Sequence, residues 1–322
     1  MKIVALAGGV GAGKFLRGLV RAVPPKDVTA IVNTGDDIVV HGLHVSPDLD
    51  SVTYWLAGVA DRERGWGRAG ETFRATEELR AWETEGAWFG LGDLDLATHL
   101  ARTGLLASGS SLSEATAAVA RQFGVEVRVL PMSDDPVTTR IDAVDETGRA
   151  LDIHFQEYWV KRGARDDVKS VRFAGAGSAR PGPGVLEALR SAEAILICPS
   201  NPIASIDPIL AVPGIAGAVA ARRDRVAGVS PIVGGAPLRG MADKLLPVAG
   251  VEVSAAGVAG YYAGRGLLGA WVIDQQDAGL DERIRVMGLR VSVADTIMVD
   301  DAASESLARS GLDAALAGTS SP

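Results

Sequence analysis

Glycines at positions 8, 9, 11 and 13, followed by Lys14, form the first segment of the chain able to do chemistry. Glycine removes the Cβ that would keep backbone N–H groups away from phosphate oxygens, and a helix N-terminus behind such a turn favours negative charge. Gly9, Gly11 and Lys14 are therefore candidates to bind a diphosphate. Neither standard phosphate motif is satisfied. A P-loop places Ser or Thr after the lysine to hold magnesium, and Phe15 stands there; a dinucleotide fingerprint counted from Gly9 and Gly11 needs glycine where Lys14 is found. With no hydroxyl at position 15, a cation serving the diphosphate has to be held elsewhere. A tight strand-to-helix turn without a ligand is the alternative reading.

Carboxylates supply that place. In Ser46-Pro47-Asp48-Leu49-Asp50-Ser51, two acids at i and i+2, stiffened by proline and preceding a helix from Ser51, can converge on one hard cation or orient an attacking alcohol. Capping that helix would need only one of them. Asn33-Thr34-Gly35-Asp36-Asp37 offers Asn33 and Thr34 to a hydroxyl or ring edge, and Asp36 and Asp37 to a ribose, a polyol or a metal. A helix cap or solvated turn is the competing reading there. Gly92-Asp93-Leu94-Asp95 repeats the Asp-x-Asp spacing, and His99 follows Asp95 by four residues, on the same face if a helix starts there. Three more polar loops follow apolar strands: Pro131-Met132-Ser133-Asp134-Asp135, Cys198-Pro199-Ser200-Asn201-Pro202 and Val229-Ser230-Pro231. Ser200 and Asn201, held between prolines, and Ser230 can meet a base or phosphate. No Ser-His-Asp or Cys-His arrangement is legible, and His41, His44 and His154 lack zinc-ligand spacing.

These loops need strands to carry them. Lys2–Ala7, Val28–Asn33, Val125–Leu130, Ala194–Cys198, Arg225–Val229 and Ala270–Ile273 are short apolar runs separated by helical patterns, which predicts βαβ units and a mainly parallel sheet. Ligands of such sheets bind where the strands end. Residues 51–123 lose the strand signal and read as a helical insertion over the cleft, with Ser51–Ala60, Glu71–Thr84 and Leu112–Phe123 as helices and a Ser111/Glu114 capping box. Residues 1–50 and 124–322 then form the nucleotide- and substrate-binding core. Val137–Trp159 reads as a hairpin or edge addition around Glu146-Thr147-Gly148, Arg162–Asp167 as a charged loop, and Gly318–Pro322 as a frayed tail.

Composition fits an ordered globular chain, with 47% apolar and 22% charged residues among 322. A net charge of −8 argues against a nucleic-acid surface and, for a diphosphate binder, in favour of a divalent cation such as Mg²⁺. No apolar run is long enough for a membrane span. Cys198 is the only cysteine, which suits a reducing cytoplasm and reads as buried filler.

Taken in order, the glycine turn, Asn33-Thr34-Gly35-Asp36-Asp37, Ser46-Pro47-Asp48-Leu49-Asp50, Gly92-Asp93-Leu94-Asp95-Leu96-Ala97-Thr98-His99, Pro131–Asp135 and Cys198–Pro202 resemble the CofD/FbiA family, the 2-phospho-L-lactate transferases of coenzyme F420 biosynthesis. The resemblance implies a Rossmann-like, doubly wound α/β core with a helical insertion, a homodimer and a Mg²⁺-dependent transfer. The acceptor it implies is the deazaflavin alcohol FO, and the donor a guanosine diphosphate carrying a phospholactyl or phosphoenolpyruvyl group, with GMP released. It gives the metal to Asp50 and Asp48, the donor phosphates to the Gly9, Gly11 and Lys14 region, and the acceptor or nucleotide to Asn33, Thr34, Asp36 and Asp37. Trp55, Trp66 and Trp88 would cover the deazaflavin ring. Leu94 departs from the family's Gly-Asp-Arg-Asp, removing an expected cation that Arg102 or Lys14 would have to replace. Asp50→Asn is expected to cut turnover by orders of magnitude while leaving folding intact. The competing reading is a regulatory protein resembling the YvcK-type relatives, which hold a nucleotide sugar; those carry a Ser-Gly-rich segment where this chain has Asn33–Asp37.

Overall fold

β1 (Ile3–Ala7) is buried at every position, as a strand covered on both faces must be. The computed structural model, which describes residues 1–319, carries the chain from β1 into helix α1 (Gly9–Ala22) and back through β2 (Val28–Val32). A small hairpin follows, β3 (Ile38–Val40) and β4 (Leu43–Val45), turning at His41 and Gly42, both with positive φ. Four helices come next: α2 (Pro47–Ala57), α3 (Arg74–Ala81), α4 (Asp93–Ala107) and α5 (Leu112–Gln122), the last opened by the Ser111/Glu114 capping box. β5 (Arg128–Pro131) then returns to the sheet, three residues later than its expected start at Val125, because α5 and its exit turn run through Val125.

The main sheet has seven strands, all parallel, in the order Arg290–Ala294, Ala270–Asp274, Val226–Val229, Ala194–Ile197, β1, β2, β5. The chain builds outward from β1 through β2 to β5 and then resumes on the other side of β1. That reversal makes the fold a doubly wound, Rossmann-like α/β structure with its switch point between β1 and Ala194–Ile197. Successive residues of β1 enter opposite cores: Val4 and Leu6 on one side, Ile3, Ala5 and Ala7 on the other. α1, the helix Asp301–Leu316 and the apolar stripe of α2 (Leu49, Val52 and Leu56) fill the second side. Gly18 lets α1 meet that last helix, since a Cβ there would lie 2.1 Å from Ser304 O.

Val137–Trp159 forms part of a separate antiparallel sheet of three strands, Thr138–Val144, Ala150–His154 and Asp167–Ala174, instead of extending the main sheet's edge. Gly318 sits in a 3-10 turn (Ala317–Thr319); the rest of the expected frayed tail lies outside the described residues. No helix among the described residues is long and apolar enough to cross a membrane.

Candidate active site

The switch point brings two loops together. α1 begins at Gly9 with Gly8 extended; Asp48 accepts from the Gly9 amide, and the first-turn amides beyond it are left for an outside acceptor. The facing loop is so close that a Cβ on Gly11 would lie 2.2 Å from Pro199 O, while Ser200 Oγ donates to Gly8 O at 2.8 Å. Gly11 is thus required by chain packing, and Gly9 by its φ of +69°. Asn201 Oδ1 accepts from Ile203 N and Ala204 N, and Ser230 closes its own turn with Ile232, so both mainly shape the loops that carry them.

A cleft of about 1020 Å³ opens over these loops. Gly9, Gly11, Lys14, Ser200, Asn201 and Ser230 line its floor, and Asp36, Asp48, Asp50, Asp95 and His99 line one wall. Two cations face the glycine turn. Lys14 Nζ donates to Met298 O at 3.4 Å, and burial, then Arg239, then Arg62, hold its ammonium below the ordinary lysine range. Arg239 reaches the loop after α2, donating to Arg64 O and Glu63 O at 2.8 and 2.9 Å. Neither has a carboxylate partner among the described residues, which suits them to a phosphate. Sequence reasoning missed Arg239; its signal was the flanking Gly234, Gly235 and Gly240, all with positive φ, which free a short arm.

The acids divide into two groups because α2 starts at Pro47 rather than Ser51. Asp48 and Asp50 therefore occupy the first turn of a helix, where residues two apart point roughly 200° from each other. Asp48 turns to the glycine turn, receiving Asn33 Nδ2 at 2.9 Å and the Gly9 amide, and burial pushes it up to about 7. Asp36, beside it, is raised well above the usual carboxylate range by burial and by Asp48, and its Oδ1 has no hydrogen-bond partner among the described residues.

Asp50 turns the other way. Both its oxygens receive the guanidinium of Arg102, a residue 1% exposed, in a bidentate pair. Asp50, Asp95 and His99 each bring a ligand atom within 4.8 Å of the others, a grouping that joins Asp50 to Asp95 and leaves Asp48 out. Tyr54, whose hydroxyl donates to Asp95 Oδ1 at 2.6 Å, completes this wall. Leu94 is 40% exposed and lies outside the cleft; the cation beside Asp50 is Arg102.

Asn33, Thr34, Asp37 and Asp93 stand behind the cleft instead of lining it. Asn33 orients Asp48, and its Oδ1 accepts from Gly35 N at 2.7 Å. Thr34 is buried and closes its turn through its carbonyl to Asp37 N. Asp37 ties the β3–β4 hairpin to α2, accepting from Ser46 Oγ at 2.7 Å and meeting His44 Nε2 at 3.0 Å. Asp93 accepts from Thr72 and Ala75, joining α4 to α3. Trp66, Trp88, Phe89 and Trp159 also line the cleft, whereas Trp55 is packed inside against Gly13. Cys198 is buried, and burial pushes its thiol up.

Residues 3–312 match the model of the family described as 2-phospho-L-lactate transferase CofD. The chain belongs to the CofD family. It is 50% identical over 315 residues to a phosphoenolpyruvate transferase of Streptomyces griseus, with 98% of each chain covered. The phosphoenolpyruvate transferase of Mycolicibacterium smegmatis is 43% identical over 333 residues, covering 99% of this chain and all of that one. Among solved structures, a UPF0052-family protein of Bacillus halodurans shares the fold at a TM-score of 0.59 and 18% identity, across 97% of this chain and 100% of that one. This CofD-family transferase thus presents a glycine turn, two unpaired cations, a buried acidic wall and an aromatic wall around one cleft.

Proposed function

We propose that this transferase moves a phosphoenolpyruvyl group from a guanosine diphosphate-linked donor to the deazaflavin alcohol FO, releasing GMP, in the cytoplasmic biosynthesis of coenzyme F420. The observation that carries the proposal is the division of the cleft lining into two chemistries: Lys14, Arg239 and the α1 amides beyond Gly9 suit a diphosphate, and Trp66, Trp88 and Trp159 suit a flat ring. The relatives named phosphoenolpyruvate transferase support that group over phospholactyl.

In the reaction, the FO alcohol oxygen forms a bond to the phosphorus of the phosphoenolpyruvyl group, the anhydride P–O bond to GMP breaks, and the alcohol proton passes to a cleft carboxylate. Such transfers need alignment and charge neutralisation more than covalent help. Lys14 and Arg239 neutralise the diphosphate, and the α1 amides fix its orientation. The acidic cluster fits a hard cation, since Asp50 and Asp95 offer carboxylate oxygens close together. Mg²⁺ held by Asp50 and Asp95 would supply further neutralisation of the diphosphate. Asp48, expected to share that ion, serves the glycine turn through Gly9.

Steady-state kinetics of Lys14→Ala and Arg239→Ala test this division. Each is expected to raise KM for the guanosine donor by about tenfold to a hundredfold, the scale of a lost hydrogen bond to a charged group, with KM for FO unchanged. Unchanged donor KM in both variants would contradict it.

A further inference from the structure

His99 is 1% exposed on α4, lines the cleft, and stands between Asp50, Asp95 and Arg102. Its place in the acidic cluster suggests a metal ligand, but its hydrogen-bond partners point elsewhere. Arg102 Nη1 lies 3.3 Å from His99 Nδ1. A guanidinium has donors and no acceptor, so Nδ1 must present its lone pair to Arg102, and the ring proton of the neutral imidazole resides on Nε2. Asp50 Oδ2, at 3.6 Å from Nδ1, is too far to demand the opposite tautomer.

The Nε2–H that results has no hydrogen-bond partner among the described residues. Asp95 Oδ1 is 3.3 Å away without the geometry of a hydrogen bond, and it already accepts from Tyr54 at 2.6 Å. An unmatched buried donor is costly, on the order of 1–3 kcal/mol, so its persistence on the wall of a binding cleft calls for an acceptor brought by a ligand.

We infer that His99 donates a hydrogen bond from Nε2 to an anionic phosphoryl oxygen of the bound donor, and that it does not ligate the metal. Arg102 is the positioning residue that imposes the tautomer while it pairs with Asp50. The inference rests on the transferase reading above and assigns within it a group that touches substrate.

The test begins with ¹⁵N-histidine NMR of the whole protein, with the His99 signals identified by their loss in His99→Gln. The expected spectrum has the proton on Nε2 and a bare Nδ1; a proton on Nδ1 overturns the inference. Pulsed EPR of the protein with Mn²⁺ and GDP is expected to show no nitrogen coupling that His99→Gln abolishes, and such a coupling would overturn it too. Neither readout depends on turnover. In kinetics, His99→Leu is expected to lower kcat/KM for the donor by about tenfold to a hundredfold, and His99→Gln, which keeps an N–H near Nε2, to recover most of it. A wild type without transfer activity sinks the transferase reading alone, whereas an active wild type matched by His99→Leu sinks the role given to His99.

Discussion

Asp50 carries two burdens at the residue scale, and they pull on the same mutation. Its carboxylate fits a cation, and it also neutralises Arg102, whose guanidinium is almost wholly buried. Removing one partner of such a pair strands the other charge, at about 3–5 kcal/mol, while replacing both by apolar groups is often neutral. The pairing argues against the expectation that Asp50→Asn leaves folding intact. Asp50→Asn is expected to lower the unfolding free energy by that amount, read as a lower denaturant midpoint, as well as abolish turnover, and Asp50→Leu/Arg102→Met to regain stability without regaining activity. A midpoint for Asp50→Asn equal to wild type would show that Arg102 does not depend on this carboxylate. The pairing was invisible in the sequence because Arg102 lies 52 positions away and only the α2–α4 approach makes it a neighbour.

At the scale of elements, glycine does two separable jobs in α1. Gly18 belongs to packing, because a Cβ would press on the Ser304 carbonyl of the last helix, far from the cleft loops. Gly11 belongs to the switch point, where a Cβ would meet Pro199 O. Gly18→Ala is expected to lower the melting temperature by several degrees, the effect of about 1–3 kcal/mol of overpacking, with donor KM preserved in what remains folded. Gly11→Ala is expected to raise donor KM at least tenfold, because relief of that clash must spread the floor on which the diphosphate rests. Matching effects of the two substitutions on KM would refute the distinction. Elements with uninterrupted apolar runs were legible: β1, β2, Ala194–Ile197, Val226–Val229 and Ala270–Asp274 lie within a residue or so of expectation. The edge strand Arg290–Ala294 was not, since its residues are half-exposed and lack that run. α2 began four residues early for a readable reason, proline at the first helical position, and that shift separated Asp48 from Asp50.

The whole molecule joins a legible half to an illegible one. Glycine spacing and strand-end acids were enough to find the cleft and most of its floor. The flap bearing Arg239 and the wall bearing Trp159 come from segments distant in sequence, so only the fold assembles them. α4 turns His99 and Arg102 inward to the acidic wall and leaves Leu94, Ala97, Leu100 and Ala101 exposed on its outer face. The central claim is tested most directly by incubating the protein with FO, Mg²⁺ and, separately, the phosphoenolpyruvyl and phospholactyl guanosine donors, followed by mass spectrometry. The account predicts FO gaining the phosphoenolpyruvyl group with one GMP released per product. Absence of product with either donor, together with tight binding of a nucleotide sugar, would contradict it.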